Sequence, residues 1–430
     1  MMKLGLLGID QQIAWVLEAA HRLGDRLVVA CDVAADSPHA HSVPDSLPRD
    51  SPWETLMDTR SCDAILVGGD GWGDTRAEAV RKLVQAGRTL VLSQPLELSM
   101  LWAYELDMIR KDSGARLIPI LPDRLHPFIA RLRLTIEEAL AHRDGSAQSD
   151  SESIIDTILL ERRMPQRSRN TVLRQLASDA DLVRVLSGDP RKLSTLGGSD
   201  PETVWPTLAV GFDGPSHVPA RWQAMRGDSQ SAGLTLSLIG PAAAHTIQIP
   251  DGPRGDWIWS DATAPVKAEL AFFDRGDAIL QVLRTYVEDN SQKSVARSLA
   301  METDILPAAW DDAARAIELA ETVPRSVARG RAIDLHQEEF TELGTFKGTM
   351  ASLGCGIVLI ALLLLVVATL VGGIAREVGW GLGERIAGVW PLVVLAVLGV
   401  FLSLQLLPLL VAKRPQTPPS PLPAPPRQRE

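Results

Sequence analysis

The sequence predicts an α/β protein: a Rossmann-like parallel sheet domain, an α+β domain with a mainly antiparallel sheet, and then two transmembrane helices. Three observations predict it. Residues 1–122 alternate short apolar runs with amphipathic runs at close spacing, the pattern of a doubly wound parallel sheet. Residues 123–340 carry strand-like runs separated by turns rich in Gly, Pro and Asp, the pattern of an antiparallel meander covered on one face by helices. Residues 348–375 and 386–412 contain no charged side chain, and each stretch is long enough to cross a bilayer.

Taken in order, Lys3–Leu7 reads as a buried strand, 8–12 as a turn, 13–23 as a helix closed by Gly24, and Arg26–Cys31 as a second strand ending at Asp32. This is an opening βαβ unit, with an acidic residue about 20 positions beyond the turn, where a ribose hydroxyl would be held. The turn reads Gly8-Ile9-Asp10-Gln11-Gln12-Ile13, so against G-x-G-x-x-G only the first glycine stands. The second glycine lets a diphosphate touch the backbone at a helix N-terminus, where unpaired N–H groups and the helix dipole favour an anion. Asp10 brings a side chain and a negative charge to that place. Its more ordinary role is an N-cap on its own helix. Under either reading a dinucleotide meets competition, and Ile13 replaces the glycine that lets helix and strand pack closely.

Residues 33–50 form a polar loop with three prolines, and its two histidines, His39 and His41, have no carboxylate or cysteine at ligand spacing, so no metal site is expected. A short helix over 53–57 precedes the strand Ala64–Val67, which ends in Gly68-Gly69. A helix over 74–86, a strand over Thr89–Leu92 entering Ser93-Gln94-Pro95, a helix over 100–112 and a strand over 116–120 complete the first domain. Residues 123–140 cross to the second, with Pro127 suited to the first turn of a helix. A polar stretch over 144–153 leads to a strand over 154–161, a helix over 173–186, and strands over 203–212, 220–225, 234–239 and 245–249. A helix over 308–323 presents Trp310, Ala314, Ile317 and Ala320 at one-face spacing.

The 430 residues are 46% hydrophobic, ample for two cores. Up to Lys347 there are 37 Lys+Arg against 50 Asp+Glu, a net charge of −13 that disfavours nucleic acid, which needs a basic footprint. Three cysteines, at 31, 62 and 355, suit neither a disulfide framework nor zinc. Met1-Met2-Lys3 runs into the first strand without a leader pattern, which places the soluble part in the cytoplasm. Lys347 precedes the first apolar run, Lys413 and Arg414 follow the second, and the loop 376–385 sums to zero charge. The positive-inside rule then gives an integral protein of the inner membrane with both termini cytoplasmic. Trp380 and Trp390 suit the interfaces, and the proline-rich tail 413–430 reads as extended, a solvated segment or a ligand for a proline-binding partner.

The order Gly5-Leu6-Leu7-Gly8, Cys31-Asp32, Cys62-Asp63-Ala64-Ile65-Leu66-Val67 and Ala86-Gly87-Arg88-Thr89-Leu90-Val91-Leu92-Ser93-Gln94-Pro95 resembles the Gfo/Idh/MocA oxidoreductase family over about residues 1–340. The resemblance implies NAD(P), a sugar or cyclitol substrate, and dimers or tetramers through the open face of the second sheet. It also implies a Glu-Lys-Pro lysine near the nicotinamide and a histidine three residues before an aspartate. Here Gln94 stands at the lysine position, Ser178 at the histidine position, and Asp181 matches the aspartate. An amide bonds a hydroxyl but takes no part in proton transfer, and a serine without a base has no pKa near neutrality. Asp179, an alternative base, reads as a solvated helix carboxylate. Arg76 stands where members often carry a histidine.

Gly8, Asp10, Asp32, Gly68, Gly69 and Pro95 would shape the cofactor cleft, although strand-end glycines and prolines also serve the backbone alone. Loss of the phosphate turn, lysine and histidine together predicts a membrane-anchored, catalytically degenerate homologue that binds a sugar-like ligand, a nucleotide or a protein. The alternative is an active oxidoreductase with an altered site, in which Asp32 favours NAD over NADP by repelling a 2′-phosphate. A hairpin that is itself the functional part is disfavoured, because its spans carry no ionisable residue.

Overall fold

A computed structural model describes residues 1–145, 155–197, 205, 207–215, 218–228, 231–240, 244–261, 268–288 and 306–335, and, beyond these, 363, 366, 367 and 370. The first sheet is built from β1 (Lys3–Leu7), β2 (Arg26–Cys31), β3 (Ala64–Val67), β4 (Thr89–Leu92) and β5 (Arg116–Pro119). All neighbours are parallel, in the order β2-β1-β3-β4-β5. Every residue of β3 is buried, as expected for a strand covered on both faces. The strand order reverses between β1 and β3, so the carboxyl ends of these parallel strands, Gly8 and Gly68, flank the crevice where ligands of open α/β sheets bind.

Helix α1 (Gln11–Arg22) buries Ile13, Val16, Leu17 and Ala20 against one side of this sheet. On the other side lie α2 (Asp74–Gln85) and α3 (Met100–Ser113), packed around Val80, Leu83, Trp102 and Leu106. Residues 53–57 form a 3-10 turn beneath β1. Its Leu56 packs so closely on Gly5 that a Cβ there would lie 2.6 Å from Leu56 Cδ2.

The second sheet has nine strands in the order β13-β12-β11-β10-β6-β9-β8-β7-β14. They are β6 (Thr157–Met164), β7 (Lys192–Gly197), β8 (Leu208–Asp213), β9 (Ala220–Arg226), β10 (Gly233–Ile239), β11 (Ala244–Pro250), β12 (Arg254–Asp261), β13 (Glu269–Asp274) and β14 (Ile333–Asp334). The sheet is mixed rather than a pure meander: β6 pairs β9 in parallel and β10 antiparallel. Helices α4 (Pro127–Gly145), α5 (Arg169–Ser187) and α7 (Trp310–Arg329) cover one face, where Leu176, Ala180 and Leu319 pack on Trp222 and Trp257. Helix α6 (Arg275–Glu288) packs instead on α1. The four residues of the one-face pattern of α7, Trp310, Ala314, Ile317 and Ala320, are all buried.

Strands β7, β12 and β13 and helix α6 were not expected from the sequence. Helix α5 begins four residues before the expected position 173, because the Ser168 hydroxyl accepts the Thr171 N–H as a cap at 3.3 Å. Residues 1–336 form one compact unit and 337–430 a second. The expected transmembrane spans 348–375 and 386–412 and the tail 413–430 lie outside the described residues, except for Leu363, Val366, Val367 and Leu370, which are helical and exposed. Among the described residues no helix is long and apolar enough to cross a membrane.

Candidate functional site

The site begins at the end of β1. Gly8 turns the chain with φ +68°, and Asp10 follows in extended conformation. Its Oδ1 accepts the Ile13 N–H at 2.9 Å, which makes it the N-cap of α1. The same carboxylate reaches across the crevice: Oδ2 accepts the Gly69 N–H at 2.6 Å, and Oδ1 accepts the Ser93 hydroxyl at 2.8 Å. One carboxylate thus ties together the ends of β1, β3 and β4. A helix N-terminus draws an anion through its unpaired N–H groups and its dipole. Here the chain supplies that anion itself.

Beside it, Arg76 from α2 is 4% exposed and fills the space above Gly8. A Cβ on Gly8 would lie 2.4 Å from the guanidinium carbon. Arg76 Nε donates to Asp32 Oδ2 at 2.6 Å, Nη2 to the Asp32 carbonyl at 3.2 Å, and Nη1 to the carbonyls of Gly68 at 2.9 Å and Asp70 at 2.6 Å. Asp32, held at φ +52°, is the carboxylate expected to take a ribose hydroxyl, and it is already engaged. The sequence marked Arg76 only as a substitution. The usable signal was its chemistry, since a guanidinium entering a buried crevice needs a carboxylate partner.

At the end of β4, Gln12 and Gln94 clasp each other. Gln12 Nε2 donates to the Gln94 carbonyl at 3.0 Å, and Gln12 Oε1 accepts the Gln94 N–H at 2.8 Å. The Gln94 side chain is buried and donates to the Ala313 carbonyl of α7 at 3.1 Å. It therefore anchors α7 rather than offering an amide to a ligand. Ser178 donates to the Gln94 carbonyl at 2.9 Å, and Arg174 Nη2 donates to the Pro95 carbonyl at 2.7 Å. Burial lowers the Arg174 guanidinium, against the pull of Asp10 and Asp70.

Asp179 is not the solvated carboxylate expected. It is 3% exposed and forked with Arg162, whose Nε donates to Oδ2 at 2.9 Å, and it accepts the Trp222 indole N–H at 2.8 Å. The reason is topological: α5 packs this face on the second sheet, and β6 delivers Arg162 to meet it. Burial opposes the Arg162 charge, but the Asp179 carboxylate outweighs it and the guanidinium is raised.

Asp181, 2% exposed, sits 3.0 Å from Arg124 Nη2. The same guanidinium meets Asp312 Oδ2 at 2.9 Å, so Asp181 has only a share of its charge. Burial pushes Asp181 up to about 6, and the charge of Arg124 offsets only part of it.

Between the two sheets lies a cavity of about 170 Å³. Its charged walls are Asp123, Arg162, Asp179, Asp181, Asp251 and Arg275, with Trp15, Gln12 and Ser178 on the α1 and α5 sides. Arg275 is forked with Asp123 at 2.6 and 3.1 Å. The expected residues Ser178 and Asp181 meet here, joined by Gln12, which the sequence had not singled out, whereas Asp10, Asp32, Gly68 and Gly69 form the separate crevice described above.

The residues do not fit a dinucleotide. The diphosphate position faces the Asp10 carboxylate, the ribose acceptor is bound by Arg76, and the side chain at the lysine position is turned into the protein. Among the described residues no group of His, Cys, Asp and Glu could hold a metal ion.

No family model matches the sequence, and no curated protein matches it. Solved structures share the fold. An inositol dehydrogenase homologue from Azotobacter vinelandii, complexed with NADH and myo-inositol, is 13% identical with TM-score 0.57, covering 78% of this chain and 97% of its own. A UDP-N-acetylglucosamine 3-dehydrogenase from Acidithiobacillus ferrooxidans is 15% identical with TM-score 0.54, covering 76% and 98%. A super-repressor mutant of Gal80p from Saccharomyces cerevisiae is 12% identical with TM-score 0.53, covering 77% and 97%. The chain has the two-sheet fold of the Gfo/Idh/MocA-type oxidoreductases.

Proposed function

We propose that this chain is a Gfo/Idh/MocA-fold protein in which hydride transfer has lapsed, acting as a binding module for a sugar-like small molecule or a protein. The observation that carries the reading is the pair of internal substitutes in the crevice. Asp10 bonds the Ile13 and Gly69 amides, and Arg76 bonds Asp32, so both anchoring points of a dinucleotide are used by the chain itself. Gln94 and Ser178 supply neither charge nor base. That the same fold is found in a repressor, Gal80p, supports a role without turnover.

The apolar runs 348–375 and 386–412 support tethering to the inner membrane, with the soluble part and tail on the cytoplasmic side. Self-association through the uncovered face of the second sheet belongs to the same reading.

One observation favours the alternative of an active NAD-dependent enzyme acting on a sugar or cyclitol hydroxyl: Asp181 lies in a cavity wall with its acid raised to about 6, the range of a general base. Incubation of the purified full-length chain with NAD or NADP and a panel of sugars and cyclitols distinguishes the two. The degenerate reading expects no nicotinamide reduction above the protein-free blank. Turnover with any one substrate, lost on Asp181→Asn, would establish the enzyme.

A further inference from the structure

We propose that the cavity between the two sheets binds a small organic cation, a protonated amine, with Asp181 and Asp251 as its counter-ions. This deepens the binding-module reading and rests on it. Charge pairing in the walls carries the inference. Arg162 is forked with Asp179, and Arg275 with Asp123, so these pairs neutralise each other. Behind the wall, Arg124 is shared by Asp181 and Asp312, and Arg184 by Asp312 and Asp189. Among the described residues Asp251 pairs with the remaining Nη1 of Arg162, at 2.7 Å, with the Arg275 charge nearby. In this described network six carboxylates share four guanidinium groups, which leaves two negative charges in excess.

Of these groups, four carboxylates (Asp123, Asp179, Asp181 and Asp251) and two guanidinium groups (Arg162 and Arg275) line the cavity. Asp181 is 2% exposed and lines the cavity, and the guanidinium it meets, Arg124 at 3.0 Å, is shared with Asp312, so its buried charge is only partly matched. Both Asp181 and Asp251 are raised, chiefly by burial, as expected of carboxylates short of positive charge. A cation brought to this wall restores the balance.

Bare metal is a poor candidate, because among the described residues no group has metal-holding geometry. The cavity is of the size that admits a ring of about six heavy atoms, since one of about 150 Å³ takes up benzene. Trp15, over whose ring the Arg275 guanidinium lies at 5.7 Å, adds an aromatic wall.

The test is calorimetric titration of the full-length chain with two matched pairs: glucosamine against glucose, and ethanolamine against ethylene glycol. The proposal expects each amine to bind roughly tenfold or more tightly than its neutral partner, by an added charge interaction. The preference should shrink between about pH 7 and about pH 5 as Asp181, raised to about 6, takes up its proton; burial shifts Asp251 in the same direction. Arg124, Arg184 and Asp312 surround the first, and Arg162, Asp179, Arg275 and Asp123 the second, so the window reports the whole cluster. Asp251→Asn, at a half-exposed position, should lose most of the preference, and so should Asp181→Asn.

Equal binding of amine and neutral partner, or binding of neither amine at millimolar concentration, overturns the amine class and leaves the module reading standing. Binding that requires added NADH overturns both.

Discussion

At position 76 a guanidinium surrounded by four acceptors does what a ligand does in dinucleotide folds. It takes up the Asp32 carboxylate and the carbonyls at the end of β3. Removing it leaves the Gly68 and Asp70 carbonyls without that donor, while Asp32, more than half exposed, turns to water. Arg76→Ala is expected to cost about 3 kcal/mol, read from the urea midpoint. Arg76→Lys should recover less than half of that, because a point charge does not reach acceptors spread around a planar fork.

Asp181 gives a second prediction at this scale. Its folded acid, about 6, lies above the unfolded value of 3.8, so the folded state binds the proton more tightly. Its contribution to stability is therefore present below the unfolded value and lost as pH rises through about 6. Asp181→Asn removes that loss while leaving Arg124 paired with Asp312. Relative to the parent, the variant should gain on the order of 2 kcal/mol between about pH 4 and about pH 7, measured by denaturation across that range.

His126 works in the opposite sense. Burial holds it at about 4, so its contribution is lost as pH falls from the ordinary value of 6.5 toward 4. Between these limits the two effects oppose each other in the parent, alongside the shifted carboxyl groups Asp107, Asp251 and Asp312, which is why the variant comparison is the informative one.

Among the elements, β1, β2, β3 and β4 were legible with the boundaries the structure shows, because each is a short, largely apolar run between turn residues, and β3 is buried on both faces. Strand β12 was not legible. In Arg-Gly-Asp-Trp-Ile-Trp-Ser-Asp the turn-forming residues hide a strand whose Trp257 and Trp259 are core residues. The neighbouring β13 exposes Leu270 and Phe272 at the sheet edge, so its pattern reads as no clear amphipathic face.

The orientation of Gln94 was beyond reach for another reason. Its partner, the Ala313 carbonyl, lies 219 positions away and is set by how α7 docks. The burial of Asp179 likewise depends on α5 meeting β6, and no local pattern encodes it. Asp179→Ala would strand the buried Arg162 with only Asp251, and the expected loss is about 3–5 kcal/mol, with a fall in the thermal midpoint as the readout. A solvated carboxylate would have given a change near zero.

On the scale of the molecule, the fold was legible where one sheet follows another along the chain, and the sequence described the site only as a set of departures from a motif. What replaced them was not. Sequence comparison against G-x-G-x-x-G shows an absent glycine at position 10, but only the folded crevice shows that its carboxylate bonds Ile13, Gly69 and Ser93 at once. The internal anion and the internal cation make the crevice self-sufficient, and the cavity on the other side of Gln94 carries the remaining polar chemistry.

This account is tested most directly by titrating NADH into the full-length chain and following nicotinamide fluorescence. It predicts no saturable change up to millimolar cofactor. Micromolar binding with enhanced fluorescence in the unaltered protein would mean that Asp10 and Arg76 yield their places to the dinucleotide, and would contradict it.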